Sequence, residues 1–368
     1  MHNFWSNQPI DIELYDDNNY NNIVSQQISY IDLKTTRQIP FDLPNKLSWY
    51  NINLSDDELY IFLFTNYNES EDGNFRFIYT KKIINWYITQ SNNLDTICLG
   101  VKYNNNLVAC IFGISTFTNI YGSIINQFEI NFLCIKKEFR NNRLAPILIG
   151  EIARQIKFKN IYSAIYSSSL KLPNNIVTIH YYHKYINIKK LLDCKFMSTV
   201  NDEFQLNKNI YFTMQPLNIY DCTQCCKLLN KFLLKYNISR CFTIKQFINH
   251  FMNNNIIKCY VIKKDGLITD FISWYLMDTL IINKNDLLSK GFMYYYFNNS
   301  IDLKLLVGYV INMMYYDNID VIDCLNIMNY PDVFEDLGFV LGNGYINYYM
   351  YNWKCSKINS TDLAYFMV

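Results

Sequence analysis

No apolar run in this 368-residue chain approaches the ~20 residues that a membrane-spanning helix needs, and no charged-then-apolar signal peptide precedes His2. A protein of the cytoplasm is therefore expected, with no transmembrane segment. Charge of one sign is also missing: a formal net charge of +1 leaves no global field to recruit nucleic acid, and outside one segment the Lys and Arg residues are scattered. Histidine is scarce, at four residues. The eleven cysteines are odd in number and follow no repeating spacing, which fits free thiols in a reducing compartment rather than a disulfide framework. The one close cluster, Cys222-x-x-Cys225-Cys226, has neither a second CxxC nor a nearby histidine to complete a zinc site, and no metal is expected. What the chain does have is apolar content of 50% against 18% charged residues. That balance describes a folded protein long enough for two domains or one large double unit.

The segment around which the chain is organised runs from Ile130 to Lys157. An apolar, β-favouring run through Ile135 reads as a buried strand. Lys136, Lys137, Arg140 and Arg143 then make a basic turn, and Leu144, Ile147, Leu148, Ile152 and Ile156 recur at helical spacing. Pro146 is tolerated because the first turn of a helix has no internal donor to lose. Unpaired N–H groups, the helix dipole and two arginines together suit a pyrophosphate. On the residues alone an ordinary strand-to-helix turn with solvated cations fits as well.

Elsewhere the reading is coarser. Phe4 and Trp5 sit in a polar terminus that is expected to dock, and residues 10–45 read as an extended arm. Ser55-x-x-Glu58 has capping-box form ahead of a helix. An acidic loop, Glu69, Glu71 and Asp72, is flanked by Tyr67, Phe75, Phe77 and Tyr79; it is either a solvated loop or a receiver for a cationic ligand. His180 and His183 fit one helix face, with aromatic packing the plainer explanation. The stretches at 97–117 and 258–275 share a strand, polar turn, strand pattern about 160 residues apart, which suggests two related α+β halves. Gly342-Asn343-Gly344 reads as a tight turn. The chain closes on Leu363-Ala364-Tyr365-Phe366-Met367-Val368, apolar to its last residue, so the tail is expected to insert into the body and carry the α-carboxylate inward.

At this point the sequence resembles the N-myristoyltransferases (glycylpeptide N-tetradecanoyltransferases) from His2 to Val368. Phe4-Trp5-x-x-Gln8-Pro9 is similar to the family's FWDTQP opening, and the stretch from Asn131 through Pro146 to its NFLCVHKKLRSKRLAP signature. Phe75-Arg76-Phe77, Thr269 to Ser273, Gly342 to Gly344 and Tyr349 to Trp353 fall in matching order. The resemblance implies an α+β fold of two acetyltransferase-like (GNAT-type) halves related by a pseudo-twofold, forming one saddle-shaped sheet with surrounding helices. Residues 1–200 would hold the acyl-CoA. Residues 201–368 would hold most of the peptide, with the tail returning to the active site.

The implied reaction moves myristate from myristoyl-CoA, a co-substrate, to the α-amine of an N-terminal glycine, with no cofactor; a monomer is expected. By the same resemblance Asn3, Phe4, Trp5, Cys134, Ile135, Arg140, Asn141, Arg143, Leu144 and Ala145 contact the CoA. The backbone N–H groups of Phe132 and Leu133 form an oxyanion hole, and the Val368 carboxylate is the general base. Tyr67, Glu69, Glu71, Asp72, Phe75, Phe77, Tyr79, Ser167, Tyr181, His183, Ser273, Tyr294 and Met367 line the peptide groove. The chain departs from the family at Asn141-Asn142 (Ser-Lys), Ser167-Ser168-Ser169 (Thr-Ala-Gly), Asn343 (Asp) and Val368 (Leu or Gln), and Ser70 interrupts the acidic run. These changes imply weaker CoA binding and altered peptide preference. A transferase with another acyl length or a lysine acceptor, or an inactive lipopeptide-binding module, is the alternative.

Overall fold

The computed structural model describes residues 4, 8–10, 25–29, 36–67, 73–91, 95–198, 204–207, 211–253 and 255–367. Asn3, Trp5, Glu69, Glu71, Asp72 and Val368 therefore lie outside the described residues.

Two hairpins start the two halves. Thr96–Tyr103 turns into Asn106–Ile120 through Asn104 and Asn105, both at positive φ (49° and 63°), where asparagine is among the better tolerated residues. Ile257–Lys264 turns into Leu267–Leu276 through Asp265 and Gly266, again both at positive φ. From each hairpin the same path continues. Ser123–Ile135 adds antiparallel to the first, helix Leu144–Lys157 crosses over, and Ala164–Ser168 returns parallel. In the second, Lys290–Asn298 adds antiparallel, helix Leu303–Tyr316 crosses over, and Val321–Leu325 returns parallel.

The next strands are exchanged. Val177–Tyr185 pairs with Val321–Leu325, Val340–Tyr351 pairs with Ala164–Ser168, and the exchanged pair bond to each other. One 14-stranded sheet thus runs through both halves among the described residues. The largest core cluster likewise draws on both halves, from Leu59 to Met367, so neither half closes its apolar interior alone.

Several local expectations change. The helix after Ser55 is Asp57–Asn66, but no side-chain cap forms: Ser55 bonds Asn53, and Glu58 accepts from the Leu107 N–H at 2.7 Å while pairing with Lys102 at 2.8 Å. A tertiary partner outcompeted the local box. The capping box that does form is Thr243 with Gln246, opening helix Ile244–Phe251. His180 and His183 lie on a strand rather than a helix, because residues 177–185 are drawn into the sheet on both edges. Gly342 to Gly344 is a register shift inside the long strand Val340–Tyr351, not a turn. The arm is in part a strand, Ser25–Gln27, laid on Trp353–Cys355. The amino terminus docks: Asn352 N–H donates to Pro9 at 2.8 Å, and Ile10 is buried.

Candidate active site

The Ser123–Ile135 strand breaks its ladder at one point. Cys110 faces Cys134 and Phe112 faces Asn131, so Ile111 alone opposes both Phe132 and Leu133. This is a β-bulge, and its first residue pays in backbone strain: Phe132 has φ 53°, in the left-handed region where a bulky side chain costs about 1–3 kcal/mol. Packing holds it there. The fully buried Phe132 ring sits 5.1–5.6 Å, centroid to centroid, from Tyr67, Tyr79, Tyr87 and Phe112. Leu133, by contrast, turns outward and is 37% exposed, the one exposed residue between Gln127 and Ile135. The Phe132 N–H donates to Asn131 Oδ1 at 2.8 Å, and the Tyr67 hydroxyl donates to the same oxygen at 3.3 Å. One of the two expected oxyanion donors is thus engaged by its own neighbour.

The strand runs straight into the basic turn. Residues Lys137–Asn142 form a 3₁₀ turn, Arg143 takes φ 54°, and helix Leu144–Lys157 begins. Leu144, Leu148, Ile152 and Ile156 are buried as the spacing predicts. Arg140 and Arg143 are exposed, and Arg140 Nε donates to the Ile135 carbonyl at 3.0 Å, tying the turn to the strand end. Cys134 and Ile135 are buried beneath it. Phe4 is half-buried. Burial pushes the Cys134 thiol up to about 12, against the pull of Arg140, so it stays protonated and is no nucleophile at neutral pH. The helix is anchored by a residue that the spacing did not flag. Glu151 is 1% exposed, accepts from Arg154, Gln155 and the Phe41 N–H, and despite its burial is held below the usual carboxylate range by those donors.

The tail inserts as its composition predicts. Leu363–Ala364 pairs parallel with Ile238–Cys241, and every residue from Leu363 to Met367 is buried. Tyr348 Oη donates to the Tyr365 carbonyl at 3.0 Å and accepts from Met367 N–H at 3.3 Å; Phe366 N–H donates to Tyr295 Oη at 3.2 Å.

Of the expected groove residues, Tyr67 and Tyr79 meet at the bulge, while Phe75 and His183 meet around Phe196 (5.4 Å each). Phe77 lies 5.4 Å below the Lys290 ammonium, which also sits 4.6 Å over Phe196. Ser167 and Tyr181 are half-buried on the two strands that flank Val340–Tyr351. Ser273 and Tyr294 do not line a surface. Both are fully buried against the main core, with the Ser273 hydroxyl given to the Tyr295 carbonyl and the Tyr294 hydroxyl 2.6 Å from His250 Nε2.

The structure adds Asp323 and Lys290 to this region. His183 Nδ1 lies 2.6 Å from Asp323 Oδ1, and Lys290 Nζ lies 3.0 Å from Asp323 Oδ2. Burial works to raise the Asp323 carboxyl, but Lys290 and His183 hold it below its usual value. An ionised carboxylate only accepts, so His183 Nδ1 carries the proton of that bond. Gly342 packs against the ring, and any Cβ there would overlap His183 Nε2. A lone charge inside each of two otherwise apolar strand runs, Lys290 and Asp323, was the signal available in the sequence. Among the described residues no group of three or more His, Cys, Asp or Glu is placed to hold a metal.

A mixed sheet whose strand bulges just before a basic strand-to-helix turn has the acetyltransferase-like (GNAT-type) fold. The fold is shared with a GCN5-related N-acetyltransferase from Anabaena variabilis (TM-score 0.50, 9% identity, 83% of this chain and 72% of that one). The chain belongs to the myristoyl-CoA:protein N-myristoyltransferase family: its N-terminal domain model matches residues 27–179 and its C-terminal domain model residues 186–364. Glycylpeptide N-tetradecanoyltransferase of Plasmodium falciparum is 32% identical over 98% of this chain and 92% of its own length. The Dictyostelium discoideum enzyme of that name is 29% identical over 99% and 92%. The crystal structure of Saccharomyces cerevisiae N-myristoyltransferase with bound myristoyl-CoA superposes with a TM-score of 0.90 at 25% identity, covering 100% of this chain and 99% of that one.

Proposed function

We propose that this chain transfers myristate from myristoyl-CoA to the α-amine of an N-terminal glycine on protein substrates. The observation that carries the reading is the bulge at Phe132 and Leu133, which stands at the strand end just before the Arg140–Arg143 turn. CoA phosphates on the turn would leave the thioester near the bulge. Asn3, Phe4, Trp5, Cys134, Ile135, Asn141, Leu144 and Ala145 complete the proposed CoA site, in a first half of residues 1–200.

Attack of the amine builds negative charge on the thioester oxygen. Fixed N–H donors at that oxygen typically contribute roughly 10²–10³ in rate each. Leu133 is the donor carried by the outward-turned residue; Phe132 joins when its N–H leaves Asn131 Oδ1 for the oxyanion. The Val368 carboxylate serves as general base. In water such a carboxyl titrates near 3.3–3.7 and an α-amine near 7.7–8.0, a poor match that burial narrows from both sides. The buried run Leu363–Met367 supports a burial of that kind.

The acceptor peptide passes Tyr67, Phe75, Phe77, Tyr79, Ser167, Tyr181, His183 and Met367, with Glu69, Glu71 and Asp72 meeting its basic residues. Of the named groove residues Met367 belongs to the proposed peptide-binding half, residues 201–368, and the others reach the groove from residues 1–200. The test is mass spectrometry of a glycine-initiated peptide incubated with chain and myristoyl-CoA. Acylation at the glycine amine, abolished when that amine is acetylated beforehand, is the expected result. Binding of myristoyl-CoA without transfer would instead make the chain a lipid-binding module.

A further inference from the structure

The mechanism above leaves a buried charged cluster unused. Glu129 and Arg240 are each 1% exposed, and Tyr365 and Thr116 are fully buried. Arg240 Nη1 donates to Glu129 Oε2 at 3.2 Å and to Gln90 Oε1 at 3.4 Å, and its Nη2 donates to the Gln90 carbonyl at 3.4 Å. The Tyr365 hydroxyl donates to the same Glu129 oxygen at 2.9 Å and lies 3.0 Å from Thr116 Oγ1. A phenol has one proton; since it goes to Glu129, Thr116 is the donor in the second bond. The Arg240 guanidinium also lies 5.7 Å from the centre of the Tyr365 ring.

The addresses of these residues give the cluster its meaning. Glu129 is on the strand that bulges at Phe132 and Leu133, three and four residues before them. Tyr365 is on the inserted tail, three residues before Val368. Arg240 is on the strand that carries the tail, since Ile238–Cys241 pairs with Leu363–Ala364 on one side and with Asn106–Ile120 on the other. Thr116 is on that Asn106–Ile120 strand, the bulged strand's ladder partner. An ion pair this buried is weak evidence for stability, because desolvation offsets the attraction; fixing one geometry is the use such pairs are best suited to.

We propose that Tyr365, held by Glu129, Arg240 and Thr116, is a positioning residue that sets the tail carboxylate against the oxyanion bulge. The proposal rests on the reading that this carboxylate is the general base. It does not require any of the four side chains to touch a substrate. A misplacement on the order of 1 Å can cost up to ~10²-fold in the chemical step. Substrate affinity, set at the Arg140–Arg143 turn and along the groove, is left alone.

The experiment is a two-by-two comparison: Tyr365 or Tyr365→Phe, each with a free or an amidated carboxyl at Val368. Single-turnover acyl transfer, peptide KM and the Kd for myristoyl-CoA are measured on all four. Amidation alone reports on the base: a lost turnover upholds that reading, and an undiminished one overturns it and this proposal together. With the base upheld, Tyr365→Phe in the free chain is expected to slow transfer by about tenfold or more, with KM and Kd within about twofold. In the amidated chain it should cost nothing further, because the group being positioned is already disabled. An unchanged rate in the free chain, or an equal loss in both chains, overturns the positioning role while leaving the base intact. Thr116→Val, which keeps the side-chain shape, is the second variant. It must give the same pattern by a smaller factor, also if Tyr365→Phe fails to bind myristoyl-CoA.

Discussion

At the scale of single residues, the site depends on a buried carboxylate, Asp323, that Lys290 and His183 hold ionised. Lys290 Nζ is 3.0 Å from Asp323 inside the sheet, so removing its charge strands a buried carboxylate. Lys290→Met is expected to cost ~3–5 kcal/mol of stability, the range for breaking a buried pair from one side, read by urea denaturation. Lys290→Met with Asp323→Asn should recover much of it. Gly342 matters for a different reason. Its absent Cβ is the space that the His183 ring occupies. Gly342→Ala should therefore push His183 off Asp323 and raise peptide KM by about tenfold, while the Kd for myristoyl-CoA stays put.

His250 gives a pH signature. Burial, reinforced by Arg240, holds its imidazole well below the usual histidine value, so the folded state keeps it neutral while the unfolded state protonates near 6.5. The unfolded chain then binds more protons below that value, and stability falls as pH drops, by up to ~1.4 kcal/mol per pH unit from this one group. His250→Phe should flatten the slope between pH 6.5 and 5 in a series of denaturation curves.

At the scale of elements, the bulged strand, the basic turn and the following helix act as one piece. Arg140 ties the turn to the strand, and Glu151 anchors the helix to the segment at Phe41. Arg143, at φ 54° and exposed, presents its charge to solvent at the helix start. Arg143→Ala is expected to weaken myristoyl-CoA binding by about tenfold, the worth of one charge-assisted hydrogen bond, and to reduce the salt dependence of the Kd; calorimetric titration at two ionic strengths measures both.

This piece was the most legible in the sequence, because helical spacing and a basic turn are local signals. The hairpins at Asn104-Asn105 and Asp265-Gly266 were legible for the same reason. What local reading missed is what distant strands impose. Glu58 left its capping role for a strand hairpin, His183 joined a sheet instead of a helix, and Gly342 marked a bulge rather than a turn. Ser273 and Tyr294 are groove residues by resemblance, yet both hydroxyls are bonded in the buried interior.

At the scale of the whole molecule, the repeated hairpin in the sequence corresponds to a repeated path of strand, strand, strand, helix, strand. The exchange of Val177–Tyr185 for Val340–Tyr351 could not be read from it, since no local residue records which edge a strand will join. That exchange runs one sheet through both halves, and the tail joins the sheet at its edge while Tyr365 reaches Glu129 of the bulged strand. Among the described residues no helix is long and apolar enough to cross a membrane.

Carrying a C14 acyl group from its CoA thioester to a glycine amine is the activity proposed for this assembly. A glycine-initiated peptide incubated with equimolar acyl-CoAs from acetyl to palmitoyl, followed by mass spectrometry of the product, tests it most directly. One dominant product is expected, the tetradecanoyl peptide modified at its first residue. An acetylated or lysine-modified peptide with no C14 product would contradict it.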